Sequence, residues 1–366
     1  MHILFSAYNF TTKVYLESVA KTHDVSVFQN NKSILEKPDK VKIIKVDHAF
    51  HLISPVPRIM KVDRVPPEYI LNFKKVFPES KPDILCAIEF YNFTFWQFLR
   101  YKKIHSDTKL FVWSETRAWP QFWLSRWVMY VFWWYFKRNL NHVEKVFVFT
   151  DEGKKFFNTY APEVVVEVFP APIDSRLFSF NLHKKYLPDA VLRIIMNARY
   201  IPLKEHRTLF KAAKILKIKN IAFEISLIGR GGHLENELKA NAKEIGIGEL
   251  IQWIEPVPSA QLNVIYSEHD VLVLPSNREA IGMVVPEAMA CGLATVTSGA
   301  VGANVYVEQG ETGLIFKTGN AEALASALEQ LADRSKVEMY GHAAAKIIRE
   351  QYSLDVLGDK LLKALE

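Results

Sequence analysis

The chain has 366 residues, about half of them apolar, and a formal net charge of +6. That length exceeds one ordinary domain and suits two, and the apolar content excludes an intrinsically disordered chain. Two cysteines, Cys86 and Cys291, are too few and too far apart for a disulfide framework or a cysteine-based zinc site, which fits a reducing compartment. From the N-terminus, MHILFSAYNF has no basic segment leading into a long apolar core, so no signal peptide is expected. Short β-rich runs follow: HILFSA, DVSVF, VKIIKV, DILCAI, KLFVWS and KVFVFT. They are almost continuously apolar, as parallel strands covered on both faces must be.

This first half is basic. Residues 1–160 hold 24 Lys/Arg against 15 Asp/Glu, or +9, whereas residues 161–366 hold 22 against 25, or −3. Such an imbalance points either to an anionic partner, such as a membrane surface or a phosphorylated acceptor, or to a solvated lysine-rich surface. No nucleic-acid-binding signature accompanies it, so no nucleic-acid partner is expected. Arg117–Leu140, RAWPQFWLSRWVMYVFWWYFKRNL, holds five of the eight tryptophans. Its unbroken apolar run, Trp127 to Phe136, is too short to span a bilayer, which takes about 20 residues. Aromatics flanked by Arg126, Lys137 and Arg138 suit a membrane interface; a helix buried in the first domain, or lining an acceptor cleft, is the alternative.

FPAPIDSRLF, residues 169–178, breaks the pattern with prolines and no periodicity, as a linker does. Beyond it the alternation resumes with the strands LRIIMNA, FEISLIG, IQWI, DVLVLP, LATVTS and GLIF and helices such as HRTLFKAAKILKIK and HLENELKANAKEIG. Strand–helix–strand repetition predicts two doubly wound α/β domains. The boundaries expected are 1–172 for the first domain, 173–345 for the second, and 346–366 for a helix returning to the first.

DVLVLPSNREAIGMVVPEAMACG predicts strand, loop and helix, with Glu279 before the helix start and Glu287 about one turn inside it. Loops at the carboxyl ends of parallel strands are where open α/β sheets bind ligands. A helix start offers free N–H groups to phosphate, here those of Gly282, Met283 and Val284. A diphosphate there would leave both carboxylates to accept hydrogen bonds from hydroxyl groups, the composition of a nucleotide sugar. Arg199 and Lys204, in NARYIPLKE, follow one strand end, and Gly229 and Arg230, in LIGRGG, follow another. Taken singly, these are surface cations and an ordinary turn.

Together and in this order, EAIGMVVPEAMACG, NARYIPLKE, LIGRGG and VEQGETGLIF resemble the retaining glycosyltransferases of family 4, or glycosyltransferase group 1, over about residues 190–320. The resemblance implies the GT-B fold, two Rossmann-like domains facing across a cleft. It implies that Glu279 holds hydroxyls of the transferred sugar, that Glu287 holds the ribose, that Arg199 and Lys204 neutralise the diphosphate, and that Val257 lies near the base. No Asp-x-Asp pair occurs, so no metal cofactor is expected; the two cations and the helix start would take its place. Three features depart from the family. SAYNFTTKV lacks the glycine pair of the first loop. WSETRAWP stands where a histidine is common, making Glu115 and Arg117 the candidates on the acceptor side. Glu205 and Val305 replace a glycine and an acidic residue. The implied activity is metal-independent transfer of a hexose from a UDP- or GDP-sugar to a cell-surface glycan or lipid-linked acceptor, with the protein cytoplasmic and peripheral on the inner face of a membrane. A nucleotide-sugar-binding protein without transferase activity and a GT-B sugar-nucleotide epimerase are the alternatives.

Overall fold

A computed structural model of the protein describes residues 2–5, 20, 23–29, 41–45, 81–91, 93–120, 123–180, 191–229 and 234–366. The chain divides into two compact units, one formed by Met1–Pro172 with Leu354–Glu366, the other by Ile173–Ser353.

The first unit is built on a seven-stranded sheet in which every described pairing is parallel. Its strands are β1 (His2–Phe5), β2 (Asp24–Gln29), β3 (Val41–Lys45), β4 (Ile84–Ile88), β5 (Lys109–Ser114), β6 (Lys145–Val148) and β7 (Val166–Val168), in the order β3-β2-β1-β4-β5-β6-β7. The first six coincide with the apolar runs read from the sequence. The seventh falls in VVVEVFPAP, where only three residues pair with β6 before the prolines end the strand. Helices α1 (Phe93–Ile104), α2 (Trp123–Lys137) and α3 (Asp151–Tyr160) follow β4, β5 and β6. Met129, Trp133 and Phe136 of α2 pack inward with Phe90, Phe95 and Phe157, so this core is largely aromatic.

The second unit carries a six-stranded parallel sheet: β8 (Leu192–Asn197), β9 (Phe223–Ile228), β10 (Ile251–Ile254), β11 (Val271–Leu274), β12 (Ala294–Ser298) and β13 (Gly313–Phe316), in the order β10-β9-β8-β11-β12-β13. β11 and β12 are buried along their whole length, which is why their sequences do not alternate. Helices α4 (His206–Ile218), α5 (Glu235–Glu244), α6 (Ser259–Ser267) and α7 (Val284–Ala290) connect these strands, and α8 (Ala321–Gln330) and α9 (Arg334–Ile347) follow β13. Leu209, Phe210, Ala213 and Leu216 give α4 its buried stripe at helical spacing, and α8 packs against α4. Ile347 and Ile348 still lie in this core, so the chain leaves the second unit only after Ser353. The helix that returns, α10 (Leu354–Leu365), buries Leu357, Leu361 and Leu365.

Candidate functional site

In the second sheet the strand order reverses between β8 and β11. The loops leaving their carboxyl ends therefore diverge, which is where a parallel sheet opens a crevice. Those loops carry Arg199 and Lys204 after β8, and Glu279 after β11. Lys204 and Glu279, 75 residues apart in sequence, meet as an ion pair between Nζ and Oε2, each side chain mostly buried. Arg199 is exposed and has no ion-pair partner among the described residues.

The two loops are joined by more than this pair. The Asn277 amide donates to the Leu203 carbonyl at 3.0 Å, and Asn277 Nδ2 donates to Glu205 Oε1 at 3.0 Å. Glu205, where the family has glycine, takes the left-handed conformation at φ 55°. A side chain there costs about 1–2 kcal/mol. Its carboxylate offsets this by accepting from Asn277 and from Thr208 Oγ1, the latter at 2.8 Å. Glu205→Ala, which keeps the strain and loses both bonds, should destabilise the protein by about 1–2 kcal/mol, while Glu205→Gly should stay within about 1 kcal/mol of the parent. Urea unfolding of the two variants measures the difference.

Glu279 is held from the other side as well. Its amide donates to Ala300 O at 3.2 Å, and the Gly302 amide donates to its carbonyl at 2.9 Å. Three residues on, Gly282 turns the chain into α7 at φ 84°. A Cβ there would lie 3.0 Å from Glu279 Cγ and 3.2 Å from Leu274 Cδ2. Only glycine fits, so the helix start is drawn close to Glu279. Met283 occupies the N-cap position of α7 without a side-chain cap bond, and the amides of Gly282, Met283 and Val284 have no acceptor among the described residues.

Glu287 lies in the first turn of α7, buried, with no ion-pair or side-chain hydrogen-bond partner among the described residues. Burial pushes its pKa up to about 7. Its charge adds to the burial that pushes Tyr266 well above the usual phenol range, and the Tyr266 hydroxyl accepts from Asn197 Nδ2 at 3.0 Å. His206, the first residue of α4, is held down to about 4, first by burial and then by Lys204, so it is neutral near pH 7 and adds no cation.

At Gly229, just past β9, a Cβ would lie 2.2 Å from the Ala198 carbonyl. The end of β9 thus presses on the residue before Arg199. Arg230 lies outside the described residues. Val257 follows β10 and is partly buried against the core of this unit.

In the first unit, Glu115 and Arg117 lie in the loop after β5, Glu115 exposed and Arg117 partly buried. The loop SAYNFTTKV is outside the described residues. The sequence reading missed Glu89, which follows β4 where this sheet also reverses its order, between β1 and β4. Glu89 is buried at φ 65°. Its Oε2 accepts from Ser114 Oγ at 2.6 Å and from Thr116 Oγ1 at 3.4 Å, and its Oε1 accepts from the Glu115 amide at 2.6 Å. It therefore seats the loop that carries Glu115 and Arg117. Desolvation, opposed by the Ser114 bond, pushes Glu89 up to about 8. A left-handed non-glycine residue joined to a displaced pKa is a pattern typical of functional sites. The available signal was a charge ending the apolar run DILCAI.

These two acids set an expected pH dependence. Each binds its proton more tightly folded than unfolded, where the ordinary value is 4.5. Their favourable contribution is complete below about pH 4.5 and is lost as pH rises through about 7 for Glu287 and about 8 for Glu89. Urea unfolding should show stability falling across that window, less steeply in Glu287→Gln and in Glu89→Gln. An unchanged slope in both variants would place the titration elsewhere.

Comparison with known proteins adds to this geometry. Residues 180–347 match the family described as glycosyl transferases group 1. A D-inositol 3-phosphate glycosyltransferase of Thermomonospora curvata is 28% identical over 187 residues, covering 48% of this chain and 43% of the relative. A GDP-mannose-dependent alpha-(1-6)-phosphatidylinositol monomannoside mannosyltransferase of Mycobacterium tuberculosis is 24% identical over 229 residues, 59% of each chain. The alignments thus span less than two thirds of these relatives' lengths. Among solved structures, sucrose-phosphate synthase from Thermosynechococcus elongatus superposes with a TM-score of 0.75 at 16% identity, covering 100% of this chain and 98% of that one. Anabaena HepE with UDP and glucose gives 0.69 at 17%, covering 100% and 99%. At such identities the likeness establishes the fold, which is GT-B. The family match thus lies within the second unit, where residues 180–347 resemble the group 1 glycosyl transferases, in a chain whose fold is GT-B.

Proposed function

We propose that the protein is a retaining, metal-independent glycosyltransferase that moves a hexose from a UDP- or GDP-sugar to a glycan or lipid-linked acceptor at the inner face of a membrane. The observation that carries this reading is the meeting of Lys204 and Glu279 at the switch point of the second sheet, beside the start of α7. Relatives named for inositol phosphate and phosphatidylinositol mannoside substrates support a polyol or lipid acceptor.

In this reading the donor diphosphate lies against Arg199, Lys204 and the amides of Gly282 to Val284. Charge builds on the diphosphate as the anomeric carbon–oxygen bond breaks, and preorganised cations and N–H groups meet it without reorganising. Glu279 holds Lys204 in place through their ion pair. With donor bound, Lys204 turns its remaining N–H groups to phosphate, and Glu279 accepts from hydroxyls of the sugar. The acceptor oxygen bonds to the anomeric carbon on the face the diphosphate leaves, and its proton passes to a departing phosphate oxygen. The transition state is oxocarbenium-like. Glu89 keeps the Glu115–Arg117 loop in place on the acceptor side.

Glu287, buried and without a side-chain partner among the described residues, accepts from the ribose hydroxyls. Hydroxyl donors favour the charged carboxylate, so binding lowers its pKa and releases a proton. UDP or GDP should therefore bind more tightly as pH rises through about 7, where Glu287 titrates. Calorimetry in buffers of different ionisation enthalpy should record the released proton, and Glu287→Gln should abolish the release while weakening binding about tenfold. The first experiment is thermal-shift screening against a panel of nucleotide sugars, since a ligand bound only to the folded state raises apparent stability. Labelled-sugar transfer with the ligand so found then decides the reading. Binding with neither transfer nor hydrolysis would favour a binding protein, and interconversion of the donor alone an epimerase.

A further inference from the structure

Helix α2 turns an aromatic face to solvent. Trp123, Trp127 and Trp134 are 70%, 64% and 55% exposed, and Tyr130 and Val131 between them 52% and 46%. Exposed apolar side chains are ordinary one at a time, but a contiguous row of this kind marks an interaction surface. The core does not require the row, because Met129, Trp133 and Phe136 already fill the inner side of the helix. Trp119, in the preceding loop, stacks on Tyr130 with centroids 4.5 Å apart and planes at 20°, which stiffens the row.

Charge indicates what the row faces. The helix contains no acidic residue, and its two cations, Arg126 and Lys137, are exposed. Arg138 follows at once, its guanidinium 4.1 Å from the centre of the Trp134 ring. Three tryptophans and a tyrosine bordered by cations suit the headgroup layer of an anionic bilayer, where amphipathic rings rest at the boundary and cations meet phosphate. At 15 residues the helix is about 22 Å long, short of the roughly 30 Å hydrocarbon layer, so it would lie along the surface. No described helix is long and apolar enough to cross a membrane. A second copy of the chain is a poorer occupant. A symmetric dimer would set this face against itself and crowd the three cations of each copy against those of the other.

We propose that the outer face of α2 docks on an anionic lipid surface, with Trp123, Trp127, Tyr130 and Trp134 in the interface and Arg126, Lys137 and Arg138 against lipid phosphates. The inference deepens the proposed transferase reading by naming the surface on which a lipid-linked acceptor would be met. Lipid binding is measured without turnover, so either can fail while the other stands.

The test is co-sedimentation of the full chain with vesicles of phosphatidylcholine, with and without phosphatidylglycerol. Binding is expected with the anionic lipid, little without it, and much less at about 0.5 M salt, where charge is screened within about 4 Å. Trp127→Ser with Trp134→Ser should lower partitioning at least about tenfold at unchanged melting temperature, since neither ring is part of the core. Lys137→Gln with Arg138→Gln should remove the preference for phosphatidylglycerol. The proposal is overturned if wild-type protein stays in the supernatant with anionic vesicles, or if the tryptophan pair sediments like wild type. It is equally overturned if analytical ultracentrifugation shows a dimer that the tryptophan substitutions dissolve, because the face would then belong to a second copy.

Discussion

Replacing Glu279 with alanine is expected to lower turnover by about 10²–10³-fold while leaving nucleoside diphosphate affinity equal to or better than that of the parent. The asymmetry follows from the ion pair. Lys204 loses its carboxylate partner but stays at the switch point, anchored by the backbone bond from Asn277 to Leu203, and its whole charge is offered to phosphate. The sugar, by contrast, loses the acceptor that orients its hydroxyls, an interaction used most fully when the ring flattens towards the transition state. Lys204→Ala should do the reverse, weakening UDP or GDP binding at least about tenfold as well as slowing turnover. The double variant should cost less than the two single losses multiplied, because the residues act as a unit. Turnover read as nucleoside diphosphate release, with affinity read by calorimetry, separates these effects. If Glu279→Ala kept turnover within about threefold of wild type, the reacting centre would have to lie elsewhere.

Gly229→Ala should be the most damaging single-methyl change near the site. Its Cβ would lie 2.2 Å from the Ala198 carbonyl, less than any real contact of this type, and Tyr200 closes the position at 3.3 Å. Both neighbours are buried, and the carbonyl belongs to backbone that cannot swing aside as a side chain would. The end of β8 must move instead, taking Arg199 with it. A cost of about 2–3 kcal/mol in unfolding free energy is expected, with UDP or GDP affinity falling at least about tenfold. Stability lost at unchanged affinity would mean that Arg199 is not seated by this contact. Gly310→Ala is a useful comparison: its φ is positive at 81°, but a Cβ there would meet nothing within 4 Å. It should cost only the ordinary left-handed penalty of about 1 kcal/mol and leave affinity alone.

The strands were readable because parallel sheets bury both faces, so DVLVL and DILCAI announce themselves by continuity alone. β7 was not, because three residues at the edge of a sheet leave too short a run to tell from the proline-rich segment that follows. The Arg199, Lys204 and Glu279 loops were placed by their strand ends, but the reversal of order between β8 and β11 is a property of the whole sheet, which local pattern does not carry. Glu205 was legible only as a departure from glycine. That it accepts the left-handed conformation, by holding Thr208 and Asn277, depends on a neighbour 72 residues away. Glu89 stayed hidden for the same reason, since its partners Ser114 to Thr116 come 25 or more residues later. α2 is apolar on both sides, so periodicity left its orientation open; packing separates Trp133, turned inward, from Trp134, turned outward.

The return of Leu354–Leu365 to the first unit has a consequence for synthesis. Residues 1–172 leave the ribosome first, yet the helix that buries Leu357, Leu361 and Leu365 and brings Glu366 to Lys109 is translated only after the whole of Ile173–Ser353. The part begun earliest is thus completed last, and the nascent polypeptide must keep a gap in its first half protected while its second half closes around its own sheet.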